Sequence, residues 1–227
     1  MTTCSILNAT SFVYSQIRRD SYFESILATC VIIYNDIISS AIELAYDENL
    51  IRDEFLKYLQ NVQFKKNNEL HHLKFDKETI EHKGRADIRV LPTMAEYIDD
   101  DEYYLIECKR LGYGNSHSTS ASELNTEYVK NGICRFVSGY YSSHYDCNAM
   151  FGFLVSQVCV QTDIIDDINT KLNKDYINAQ KRKVNANAKK QLTYENFANG
   201  YPYSYISTHT HASRKDLVLY HLIFDFS

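Results

Sequence analysis

Gly84-Arg85-Ala86-Asp87-Ile88-Arg89-Val90 and, after a gap, Tyr104-Leu105-Ile106-Glu107-Cys108-Lys109-Arg110 are the two stretches on which the fold turns. Both alternate as β-strands do, with successive side chains on opposite faces. Ala86, Ile88 and Val90 share one face of the first, leaving Arg85, Asp87 and Arg89 on the other. Tyr104, Ile106 and Cys108 share one face of the second, leaving Leu105, Glu107 and Lys109 on the other. A hairpin centred near Tyr97 sets Asp87 opposite Glu107. Directly opposed residues have β-carbons roughly 4.5–5.5 Å apart, and like charges so placed repel unless something offsets them. A divalent cation is one such offset. A slip of one residue removes the juxtaposition, and the same alternation also suits the wet face of an amphipathic hairpin.

Outward from this pair, Ser21 and Glu24 have capping-box spacing and predict a helix start. Tyr22, Ile26, Ile33, Ile37, Ala41 and Leu44 follow at helical intervals. A second helix is expected over 47–61, with Ile51, Phe55, Leu59 and Val62 as its core stripe. Glu48 borders that stripe, where it either faces a site on the packing partner or complements the helix N-terminus. Residues 70–75 read as a strand, with a turn over 76–83. The polar stretch 112–120 follows Lys109 directly and is placed to cover a substrate. A third helix is expected over 122–141, where Gly132 and Gly139, costly within a helix, imply close approach to a sheet. Residues 150–155 are almost wholly apolar, the pattern of a central strand covered on both faces and reached by a helical crossover. Ile165, Ile168, Leu172 and Tyr176 mark a fourth helix, and 203–208 and 217–226 two last strands. No repeat or boundary interrupts the chain, so one α/β domain is expected over 1–227, in the order α-α-β-β-β-α-β-α-β-β.

Of 227 residues, 44% are hydrophobic and 23% charged, the balance of an ordinary core. The longest apolar run, 26–34, is about half of the ~20 residues a membrane span requires. No basic segment precedes it, so a signal peptide is not expected. Six cysteines, at 4, 30, 108, 134, 147 and 159, show no CxxC spacing. Reduced, buried thiols in a cytoplasmic protein, without a membrane, are expected. The net charge of −5 argues against binding nucleic acid through bulk charge. Residues 181–190 nevertheless carry five positive charges and no acid, as a solvated helix face, a loop or a local basic groove would.

The element order, with Asp87, Glu107 and Lys109 on successive strands, resembles the PD-(D/E)XK, or restriction-endonuclease-like, nuclease superfamily. Gly84-Arg85-Ala86-Asp87 matches the first motif, with alanine where proline is usual. Ile106-Glu107-Cys108-Lys109 matches the second. Residues 127–141 look like helices of defence-type bacterial members. The resemblance covers about 47–156 and implies an αβββαβ core, a central mixed β-sheet flanked by helices. The N-terminal helix and the C-terminal helix and β-hairpin would be additions. It implies that Asp87 and Glu107 bind Mg²⁺ or Mn²⁺, with the backbone carbonyl of Cys108 as a further ligand. Lys109 would orient or help deprotonate the attacking water. Glu48 is the candidate helical acid, ahead of Glu24, Glu43, Glu54 and Glu78. Arg85, Arg110, Lys181, Arg182 and Lys183 are candidates for contacting nucleic acid. The implied activity is metal-dependent endonucleolytic hydrolysis of DNA phosphodiesters, with RNA also open, in restriction or anti-phage defence. A second copy of the chain or a defence-complex subunit is the implied partner.

The chemistry agrees independently, since hard oxygen ligands suit Mg²⁺ or Mn²⁺ and not zinc. His209 and His211 have the alternate spacing of strand metal ligands but lack a third, which favours loop or core histidines. His221, in an apolar strand, suits a hydrogen-bonded structural role. Two other function classes stay open. One is a nuclease-like module that binds nucleic acid or protein without cutting. The other is a structural subunit with some of the nineteen tyrosines at interfaces.

Overall fold

The structure, a computed structural model, describes residues 13–40, 47–81, 84–93, 103–113, 119–141, 147–211 and 216–227. Glu43, the Tyr97 turn and positions 114–118 of the polar loop lie outside them. Helix α1 (Val13–Ser39) already includes Ser21, which is therefore interior and not its cap. Nothing in Ile17-Arg18-Arg19 opposes helix, arginine being a good helix former, so the turns continue through the serine. The stretch Asp20–Ser39 is long and apolar enough to cross a membrane, against the expectation. Ser25, Thr29 and Asn35 break the apolar run without lowering its average far enough. Phe23, Ile26, Leu27, Cys30, Ile33 and Ile37 of this helix are buried in the core beside the sheet.

Helix α2 (Glu48–Gln60) starts where expected, because Asp47 accepts the N–H groups of Asn49 and Leu50 at 2.9 and 3.1 Å. Asn61 ends it and caps α3 (Val62–Asn67) through the N–H of Phe64. Strands β1 (Leu73–Glu81), β2 (Gly84–Pro92) and β3 (Tyr104–Leu111) follow. A crossover then runs through α4 (Ala121–Tyr128), a π-helical turn (Val129–Ile133) and α5 (Cys134–Val137) into β4 (Cys147–Leu154). A second π-helical segment (Val160–Ile165) leads into α6 (Asp166–Lys171), which stops short of Tyr176. Beyond lie β5 (Tyr176–Ile177), β6 (Lys183–Val184), β7 (Ala188–Tyr194), β8 (Ser204–His209) and β9 (Leu217–Asp225).

Seven strands form one mixed sheet in the order β1-β2-β3-β4-β9-β8-β7, while β5 and β6 make a separate ribbon. The three central strands β3, β4 and β9 are parallel, and the pairs outside them antiparallel. All eight residues of β4 are buried, as a strand with helices on both faces requires. Phe151 and Phe153 pack on the side of α1 and α2. Met150 and Leu154 pack on the side of the crossover and α6. The first strand thus begins and ends later than 70–75, and the basic stretch 181–190 is neither a helix nor simply a loop. It contains β6 and the start of β7, an edge strand missed because its residues are mostly polar and exposed.

Candidate active site

Strands β2 and β3 pair as Ile88↔Ile106, Arg89↔Leu105 and Val90↔Tyr104, all centred on position 97. The ladder stops at Ile88, and Asp87 is the next residue. Its Oδ2 accepts the backbone N–H of Cys108 at 2.8 Å, an N–H that a partner strand would otherwise take. Its Oδ1 accepts from Arg52 Nη1 at 3.0 Å. The acid is therefore fixed from both sides at the point where the two strands part. On its other flank Asp87 stands across from Glu78, between the pairs Lys77↔Ile88 and Thr79↔Ala86. Glu78 takes a left-handed φ of 50°, unusual for a non-glycine residue. Arg52 bridges the two acids, lying 3.3 Å from Glu78.

Glu107 is 1% exposed, and both of its carboxylate oxygens are engaged. Oε1 accepts from Lys109 Nζ at 2.8 Å and Arg135 Nη1 at 2.9 Å, and Oε2 from Tyr141 Oη at 2.6 Å. Burial nevertheless raises its pKa from the ordinary 4.5 to about 7, with Asp87 adding to the rise and Lys109 and Arg135 opposing it. Lys109 moves in its own opposite sense. Burial favours the neutral amine, but Glu107, Glu48 and Asp87 together outweigh it and hold the ammonium protonated.

The Lys109 ammonium lies among four oxygens. They are the Cys108 carbonyl at 2.6 Å, Glu107 Oε1 at 2.8 Å, Glu48 Oε1 at 3.5 Å and Asp87 Oδ2 at 4.0 Å. Glu48 reaches this ring from the first turn of α2, anchored by the backbone N–H of Arg110 at 2.7 Å. Of the other helical acids, Glu24 accepts from Tyr220 and Glu54 pairs with Lys57, both away from the ring. Glu78 touches it only through Arg52. Among the described residues, no three His, Cys, Asp or Glu groups converge as a ready-made metal cage. The donors that fit a divalent cation are two carboxylates and one carbonyl, all hard oxygens already gathered around a positive charge.

Arg110 contributes its backbone to the ring, and Arg85 pairs with Glu78 at 3.2 Å on the exposed flank. Lys181, Arg182 and Lys183 sit apart on the β5–β6 ribbon and make no contact with the acids. Three residues escaped the sequence reading: Arg52, Arg135 and Tyr141. The spacing of Glu48 and Arg52, four apart on one helix face, was the available signal. His209 and His221 are both fully buried and share Ser207, so neither stands as a metal ligand. Cys30, Cys108, Cys134 and Cys147 are buried and in no disulfide, whereas Cys159 is exposed. Comparison with protein-family models, with curated proteins and with solved structures gave no match.

Proposed function

We propose that this chain is a metal-dependent nuclease of the PD-(D/E)XK kind that hydrolyses phosphodiester bonds, in DNA first of all. The observation that carries the proposal is the meeting of Asp87, Glu107, Glu48 and the Cys108 carbonyl around Lys109 Nζ. Such clustering of buried charge costs stability and is characteristic of sites with work to do. The chain order α2, β1, β2, β3, crossover, β4 also supports the family's core. Asp87, Glu107 and the Cys108 carbonyl would hold Mg²⁺ or Mn²⁺. When bound, that ion lowers the pKa of a water and neutralises charge on the phosphate.

The remaining roles belong to the chain. Lys109, kept protonated by three acids, acts as a fixed positive charge beside the developing negative charge, and not as a base. Arg52 and Tyr141 position Asp87 and Glu107 respectively. Glu48 tethers the ammonium on the open side of the site. A module that binds without cutting is the second reading, favoured by the Lys109 ammonium standing at the centre of the donor ring. Incubation of the purified protein with DNA and Mg²⁺ or Mn²⁺ separates the two. Cleavage is expected, with Asp87→Ala and Lys109→Ala each lowering it by roughly a hundredfold or more. Equal cutting by wild type and both variants would assign the activity to a contaminant.

A further inference from the structure

A groove of about 670 Å³ opens between the end of α5 and the β5–β6 ribbon. That size lies within the roughly 300–1,000 Å³ of small-molecule sites. Val137, Tyr140 and Val184 supply its apolar surface, and Asn178, Gln180 and Arg182 its polar rim. A smaller hollow shares Tyr140, Asn178, Gln180 and Val184 with it and adds Lys130 and Arg135. Arg135 is the residue that also holds Glu107, at 2.9 Å. The two hollows therefore form a track that leads away from the catalytic acids.

Three features of the track define its occupant. First, its charge opposes that of the chain. The protein carries 29 acids against 24 lysines and arginines, yet Lys130, Arg135, Arg182 and Lys183 line the track and, among the described residues, no acid does. That pattern complements phosphate. Second, the Arg135 guanidinium lies over the Tyr140 ring, 5.4 Å from its centre, a cation–aromatic pair suited to receive a nucleobase. Third, the ribbon wall is pre-shaped. Asn178 Oδ1 accepts the N–H groups of Gln180 and Arg182 at 3.1 and 2.9 Å, and Lys181 takes a left-handed φ of 56° to close the turn. Arg182 has no ion pair among the described residues, whereas Lys183 is engaged by Asp175 at 2.7 Å.

Resting on the nuclease proposal, we propose that this track holds an unpaired nucleotide of the substrate strand. The preferred substrate is then single-stranded nucleic acid, or a duplex interrupted by an unpaired stretch. A paired base cannot offer its face to Tyr140, because its neighbours in the stack cover it. The amides along the rim can pair with any base edge, so weak sequence preference is expected.

Fluorescence anisotropy in EDTA, where no cutting occurs, tests this with short labelled probes: single-stranded DNA, single-stranded RNA, blunt duplex DNA and the same duplex with a gap. The single-stranded and gapped probes should bind roughly tenfold more tightly than the blunt duplex. The DNA and RNA arms identify the sugar. Arg182→Glu should weaken single-strand binding roughly tenfold, and Gln180→Ala by less, both with unchanged melting temperature. Equal binding of blunt and gapped duplex, or Arg182→Glu binding like wild type, overturns the inference. A parallel cleavage assay with Mg²⁺ keeps the two ideas separate. Cutting without single-strand preference removes the track alone, and neither binding nor cutting removes both.

Discussion

Glu107 answers two demands that conflict. Its position beside Asp87 and Lys109 would serve the proposed chemistry, while its complete burial favours the protonated acid. The rise from 4.5 to about 7 means that the folded chain holds a proton the unfolded chain releases in that interval. Stability contributed by this group is therefore lost as pH rises from 4.5 toward 7, and the cost is full above 7. It is on the order of 3 kcal/mol. Glu107→Gln removes the charge and keeps the shape. The variant should melt higher than wild type at pH 8, lose that advantage near pH 5, and cut nothing. Thermal melts at the two pH values check this, and a lower melting point at pH 8 would contradict it. At this scale the sequence was partly legible. Alternation placed Glu107 and Lys109 on one face, and a helix stripe pointed to Glu48. Arg52, Arg135 and Tyr141 were hidden because they reach the acids from other elements, and spacing along one element carries no trace of that.

The pairing of β2 with β3 was legible at the scale of elements because alternation fixed the faces, and the register assumed about position 97 is the one the strands take. The edge strand β7 was not, since polar exposed residues suit strand and loop equally. The π-helical turn at Val129–Ile133 was equally hidden, because an extra residue in a turn leaves the apolar spacing nearly intact. Packing makes its use visible. A methyl group on Gly132 would lie 2.4 Å from Met150 Cε and 3.8 Å from Lys109 Cγ. Farther along, β8 and β9 join α4 through a buried chain of hydrogen bonds. His209 Nδ1 meets the Ala186 carbonyl at 2.8 Å, so it carries the proton. Ser207 must then donate to His209 Nε2 at 2.7 Å and accept from His221 Nε2 at 2.7 Å. Tyr128 donates to His221 Nδ1 at 2.9 Å and completes the chain. One proton arrangement satisfies every link. Burial lowers the pKa of His209 to about 4, so the unfolded chain takes up the proton first and stability falls as pH drops from 6.5 toward 4. Ser207→Ala leaves both rings short of a partner, at a cost of roughly 1–3 kcal/mol each. Denaturant titration at pH 7 should show that loss. A variant as stable as wild type would mean that water replaces the hydroxyl.

Across the whole molecule, three parallel strands form the middle of the sheet; Glu107 lies on the first of them, with Asp87 on the antiparallel neighbour β2 and Glu48 on α2 beside it. Helices seal both faces, and the basic ribbon stands outside at the mouth of the track. This plan explains how a chain with a net charge of −5 can present a local positive surface. The sequence offered the parallel middle through the apolar β4 and the helical crossover before it. It could not offer the ribbon's place beside α5, which depends on contacts between segments some 40 residues apart along the chain.

The Lys109 ammonium at the centre of the donor ring has a consequence for how the protein is made and kept. Lys109, Arg52 and Arg135 pair with the carboxylates there, Arg52 also with Asp53 and Glu78, so each acid of the pocket has a cation beside it. Folding is then expected to need no ion, and chelator treatment should leave the melting temperature within about 1 °C of the untreated protein. A large drop would show that an ion is built into the fold. On the nuclease proposal the ammonium is a placeholder, and loading would be an exchange in which the side chain of residue 109 yields its place among the oxygens to the ion.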